Sequence, residues 1–185
     1  DRPKDPAAYA DRELVADAVA VMDATGVDRA VLVGLSMGGR HALQFAAWYP
    51  DRAAGVVAVG SAFPWPLPPG FDEVRASYEG WEKANRHYWL ADHRGWVEFF
   101  ISKVFSEPHS TKQWEDGVGY GLETDVETLL NTVSGIVTPT DADAEEVCGA
   151  VRCPVLVVHG ERDEIVPYTI GARVAEWTGG TLVTV

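Results

Sequence analysis

Cysteine is scarce in this sequence. Two thiols, Cys148 and Cys153, in 185 residues cannot build a disulfide framework. No paired His/Cys cluster stands beside them to complete the four ligands of a structural zinc site. They read as reduced thiols near the end of a helix and the start of a strand, which fits a cytoplasmic location. Basic residues are also few: 15 Lys and Arg stand against 28 Asp and Glu, a formal charge of −13. A surface that acidic repels phosphate backbones and anionic headgroups, which argues against nucleic-acid and membrane-surface partners. No apolar run approaches the roughly 20 residues that span a bilayer. What remains, 46% hydrophobic and 23% charged, is the composition of a globular chain of one domain or a domain with a subdomain.

The apolar pattern has two periods. Leu14, Val15, Ala18, Val19 and Met22 recur at helical spacing over residues 9–25, with Gly26 as the stop. Ala30-Val31-Leu32-Val33 follows as a short unbroken apolar run, the pattern of a parallel strand buried between helices. A second helical stretch carries Ala42, Phe45, Ala46 and Tyr49 up to Pro50, and Ala54 to Val59 is another strand. The pattern resumes late in the chain. A helix starts near Asp141, Pro154 to Val158 is a strand, Tyr168 to Trp177 a helix ended by Gly179-Gly180, and Thr181 to Val185 a strand. Alternating helix and strand predict an α/β fold with a parallel sheet, with strands near 30–35, 54–60, 154–159 and 181–185.

Between the two halves the composition changes. Phe63-Pro64-Trp65-Pro66-Leu67-Pro68-Pro69-Gly70 is too proline-rich for a helix or central strand and reads as a linker. Aromatic residues then crowd into helical patterns, as in Trp96-Val97-x-Phe99-Phe100. Residues 64–147 are expected to form a helical subdomain with an aromatic core, separating core segments 1–63 and 148–185. The same aromatics are candidates to line an apolar pocket.

Gly34-x-Ser36-x-Gly38 lies between a predicted strand and a predicted helix. A turn that tight needs glycines beside the serine and pushes the Ser36 hydroxyl out at a helix N-terminus, where negative charge is favoured. The N–H of Met37 then points at the oxyanion of a tetrahedral intermediate. The competing reading is a tight turn with a serine N-cap. A serine hydroxyl needs a base, and the base needs an orienting carboxylate. Asp163, in Gly160-Glu161-Arg162-Asp163-Glu164 after the third strand, is the candidate; Glu161 and Glu164 read as solvated, and an Asp–Arg turn contact is the alternative for Asp163.

With these residues in place the chain resembles a known family, the serine α/β-hydrolases. The resemblance rests on Leu32-Val33-Gly34-Leu35-Ser36-Met37-Gly38-Gly39, on Tyr49-Pro50-Asp51-Arg52, and on Cys153 to Asp163 with Val166-Pro167. It implies that Ser36 is the nucleophile, Asp163 the triad acid, and residues 64–147 a helical cap. The four strands would be the family's strands five to eight. The family's base is a histidine after the last strand, so the base is expected beyond Val185, and the upstream strands and second oxyanion loop before Asp1. Residues 1–185 alone are accordingly expected to have little hydrolase activity. None of His41, His87, His93, His109 and His159 stands where the family's base does.

The activity implied is hydrolysis of an ester-like bond of a small apolar substrate through an acyl-enzyme. No metal or other cofactor is implied. Trp81, Tyr88, Trp89, Trp96, Phe99 and Phe100 are the candidate pocket residues in the cap. Carbon–carbon hydrolase and acyltransferase chemistry use the same triad, and a non-catalytic binding module keeping the pocket is a reading of a different class. Relatives that place Asp at the elbow, dehalogenases and epoxide hydrolases, are disfavoured by Ser36.

Overall fold

In the computed structural model, which describes residues 2–65, 67–136 and 139–185, each predicted strand starts and ends within one residue of its expected bounds. The order is α1 (Asp11–Thr25), β1 (Ala30–Leu35), α2 (Met37–Trp48), β2 (Ala53–Val59), α3 (Arg86–Ala91), α4 (His93–Val104), α5 (Thr111–Leu122) and α6 (Val126–Gly135). It continues with α7 (Asp141–Gly149), β3 (Val155–His159), α8 (Tyr168–Thr178) and β4 (Thr181–Thr184). Pro66 of the predicted linker, and Val137 and Thr138 near the end of the expected cap, lie outside the described residues. The elements sort into two units, one of residues 10–65 with 139–185 and one of residues 2–9 with 67–136.

The first unit is the α/β core. All four strands are parallel and lie in the order β1-β2-β3-β4, so every crossover moves one strand in the same direction. Right-handed crossovers then put all the connecting helices on one face. The packing agrees: α2 lies on β1 and β2, α8 on β3 and β4, α7 against both helices, and α1 against α2. Their shared core holds Val15, Leu43, Phe45, Ala46, Val56, Ala58, Val157 and Val174, each almost fully buried.

The opposite sheet face carries no helix of this unit among the described residues. Across it run two in-register rows, Val33–Val57–Leu156 and Leu35–Val59–Val158–Val183. Val31, Val33 and Leu35 are 59%, 71% and 69% exposed. The expectation that β1 is covered on both faces therefore holds on one face only within these residues. Contiguous apolar surface of this kind drives association. Expressed by itself, the stretch 1–185 is expected to self-associate, seen as concentration-dependent sedimentation; a concentration-independent monomer would contradict this.

The second unit is helical, and its core is aromatic. Trp89 stacks on Trp96 with centroids 4.9 Å apart and meets the edge of Phe71 at 5.0 Å. Val97, Val118 and Leu130 close the cluster. Its limits differ from the expected 64–147 in two places. Helix α7 belongs to the α/β core, because Ala144 and Cys148 are 0% exposed inside that core. Residues 2–9 belong to the helical unit: Asn131 donates to the Lys4 carbonyl at 3.1 Å, and a Cβ on Gly135 would stand 2.2 Å from the Pro6 carbonyl oxygen. No helix among the described residues is long and apolar enough to cross a membrane.

Candidate active site

One residue, Ser36, separates the last residue of β1 from the first of α2. Its backbone takes φ 54° and ψ −118°, and among the described residues it is the only non-glycine at positive φ. Such a conformation costs of order 1–3 kcal/mol and persists only where the surroundings impose it. Here they do. The Ser36 N–H donates to the Val59 carbonyl at 2.8 Å, and its carbonyl accepts from Gly39 and Ala62 at 3.0 and 3.2 Å. The side chain makes no capping bond, so the N-cap reading fails, and Ser36 stands half-buried at the sheet end.

The glycines divide the work differently from expectation. A Cβ on Gly34 would lie 2.1 Å from the Gly38 carbonyl oxygen, so no side chain fits there. A Cβ on Gly38 would meet nothing within 4 Å, whereas one on Gly39 would touch the Ser61 Cβ at 3.0 Å. The tight contacts of the turn thus fall on Gly34 and Gly39. As the first residue of α2, Met37 has an N–H without an intrahelical acceptor.

Asp163 follows β3 by four residues, at the same carboxyl edge of the sheet as Ser36. Its Oδ1 accepts from the backbone N–H groups of Ile165 and Val166 at 2.8 and 2.9 Å, so the Asp–Arg contact is not what holds it. Its Oδ2 faces Gly60, just past β2, where a Cβ would stand 3.4 Å away. Since β2 lies between β1 and β3, the two strand ends are separated by two inter-strand spacings, roughly 10 Å. Glu161 and Glu164 are exposed. The N–H of Glu161 donates to the Val185 carbonyl at 2.9 Å, tying the loop to the end of β4.

A buried polar cluster behind the elbow escaped the sequence reading. Asp11, in the first turn of α1, is bonded to the Arg40 guanidinium, accepts from Gln44 Nε2 at 3.0 Å and lies 3.3 Å from His41 Nε2. Burial alone would raise the Asp11 pKa; the hydrogen bonds from His41 and Gln44 and the Arg40 charge outweigh it and hold the carboxyl below its ordinary 3.8. Arg40 is one helical turn past Ser36, so the cluster anchors the elbow helix to α1. Removing one partner of a buried pair costs about 3–5 kcal/mol, and that is the loss expected for Asp11→Ala by denaturant unfolding at pH 7. A folded pKa below the unfolded one means the contribution is complete above about pH 4 and lost as the pH falls through it. The gap between parent and variant should therefore narrow below pH 4; a gap independent of pH would contradict the assignment.

The six cap aromatics sit in or against the helical unit's core. Trp89 and Trp96 are buried in it, and Tyr88, Phe99 and Phe100 pack onto it. Trp81 meets Phe99 edge-on at 5.3 Å and remains 40% exposed. Burial pushes the Cys148 thiol up to about 12 and also raises that of Cys153, which disfavours the thiolate of both.

Comparison with known proteins bears on this arrangement. The sequence matches the family described as alpha/beta hydrolase fold over residues 1–185. It is 29% identical to 2-hydroxymuconate semialdehyde hydrolase of Pseudomonas sp. (strain CF600), over 96% of this chain and 60% of that protein. It is 29% identical to the bifunctional esterase/perhydrolase of Acinetobacter calcoaceticus, over 85% and 58%. The chain thus spans about 60% of the length of these relatives. The fold is similar to that of the enol-lactonase from Burkholderia xenovorans LB400, with a TM-score of 0.76 at 21% identity, covering 99% of this chain and 66% of that one.

Proposed function

Because the chain belongs to the alpha/beta hydrolase fold family, we propose that it carries the nucleophile and the acid of a serine hydrolase acting on an ester-like bond of a small apolar substrate. The observation that carries this reading is Ser36, an uncapped hydroxyl on a positive-φ turn at the sheet edge that also bears Asp163. In the proposed scheme Ser36 Oγ attacks the carbonyl carbon and its proton passes to a base. The Met37 N–H donates to the oxygen that becomes negative. Collapse of the intermediate expels the alcohol, which takes the proton from the base, and leaves an acyl-Ser36. Water, giving its proton to the same base, then attacks the acyl carbon; the second intermediate collapses with cleavage of the C–Oγ bond, Ser36 Oγ takes the proton back from the base, and the acid is released. Asp163 Oδ2 orients that base and stabilises its charged form. The base is proposed to be a histidine. His41 is engaged with Asp11, and His159 with the Val166 carbonyl. Trp81, Tyr88, Phe99 and Phe100 are proposed to contribute apolar surface to substrate choice, with Trp89 and Trp96 supporting them from the core.

A second reading, cleavage of a carbon–carbon bond beside a carbonyl, is favoured by the similarity to 2-hydroxymuconate semialdehyde hydrolase. The full-length protein assayed on p-nitrophenyl esters of increasing acyl length and on 2-hydroxymuconate semialdehyde separates the two. Ester turnover that disappears in Ser36→Ala supports the first reading. Turnover of the semialdehyde alone transfers the assignment to the second. Turnover of neither contradicts both and favours a binding module.

A further inference from the structure

His159 closes β3 and is completely enclosed, its side chain 0% exposed. Its Nε2 lies 2.9 Å from the Val166 carbonyl oxygen. A carbonyl only accepts, so Nε2 carries the hydrogen and donates it. The opposite ring nitrogen, Nδ1, has no hydrogen-bond partner among the described residues. It faces Gly171 of α8, where a Cβ would stand 2.3 Å away. A glycine on α8 thus leaves the space that the ring fills, and Tyr168 meets the ring edge-on at 6.0 Å.

The bond from Nε2 reaches the residue whose own N–H holds Asp163. Val166 donates its N–H to Asp163 Oδ1 at 2.9 Å and receives the His159 hydrogen on its carbonyl. The same Nε2 is 3.6 Å from Asp163 Oδ2, beyond hydrogen-bond range. Oδ1 is therefore fully engaged by the loop, while Oδ2 is close to His159 without being consumed by it. We propose that His159 is a positioning residue for the triad acid: it fixes Val166, so that the loop grips Oδ1 and leaves Oδ2 to the imidazole of the base. The proposal rests on the reading of Asp163 as that acid.

The consequence is kinetic. With the Val166 anchor gone, the carboxylate drifts from the base, and a misplacement of about 1 Å can cost on the order of 100-fold. In the full-length protein His159→Met, similar in bulk but without a donor, should lower kcat roughly 10–100-fold with KM little changed. It should also move the acidic limb of the kcat/KM profile to lower pH, because a base without its carboxylate loses its proton more readily. His159→Gln, whose amide can donate to the same carbonyl, should recover most of the rate and the parental limb. Asp163→Asn is run alongside. If Asp163→Asn is as active as the parent, the underlying assignment of the acid fails. If Asp163→Asn is inactive while His159→Met keeps the parental kcat and pH profile, the acid stands and the positioning role is overturned. Should His159→Met fail to fold, nitrogen NMR of the parent ring decides the matter: hydrogen on Nε2 supports the proposal, and hydrogen on Nδ1 alone overturns it.

Discussion

Replacing Ser36 by alanine in the full-length protein is expected to lower kcat roughly 10⁵–10⁶-fold, the scale seen when a nucleophile is removed from a set of groups that act as a unit. The structure says why the effect should be chemical and not structural. The Ser36 hydroxyl makes no capping bond, and the turn is held through backbone bonds to Val59, Gly39 and Ala62. Alanine keeps those bonds. Thermal unfolding of the variant should therefore stay close to the parent while turnover vanishes. A large drop in stability together with the loss of rate would mean that Ser36 serves the fold and not the reaction.

Asp163→Asn is the second large effect, with kcat expected to fall about 10⁴-fold. Asparagine can still accept from Ile165 and Val166 through its carbonyl oxygen, so the loop should keep its shape. What changes is the group at the Oδ2 position, where an acceptor with full charge becomes an amide donor. Such a group favours the wrong tautomer of the base and cannot stabilise its protonated form. Glu161→Gln and Glu164→Gln, at exposed positions of the same loop, should change kcat little. A parental rate in Asp163→Asn, or a large loss in either glutamate variant, would move the acid elsewhere in the loop.

The fold was legible because its signals are local. Unbroken apolar runs such as Ala30–Val33 and Val155–Val158 give strands, and a glycine flanking a serine between strand and helix gives the elbow. The bounds of the helical unit were less legible. Nothing in Asp141 to Gly149 distinguishes a helix that packs Ala144 and Cys148 into the α/β core from one that belongs to a cap. Residues 2–9 carry no apolar period that announces their packing beside α6.

The buried charged cluster was the least legible. Arg40 and Asp11 sit in amphipathic helices where such residues usually meet solvent, yet the Arg40 side chain is 3% exposed. The available signal was the mutual complementarity of Asp11, Arg40 and Gln44, and pairing across 29 residues is invisible to a helical period. The elbow pattern singles out Gly38; only the backbone path shows that Gly39 is the glycine facing Ser61. His159 could be read as a buried histidine from its place at a strand end, but its bond to Val166 depends on the loop's return.

Ser36 is proposed to act as an activated nucleophile. A fluorophosphonate probe reacts with such a serine and leaves ordinary hydroxyls untouched, because only an oxygen whose proton is being removed displaces the fluoride. The full-length protein treated with the probe at neutral pH and digested should yield one phosphonylated peptide carrying the adduct on Ser36, with no adduct in Ser36→Ala and much slower labelling in Asp163→Asn. An unmodified Ser36 peptide after prolonged treatment would contradict the account.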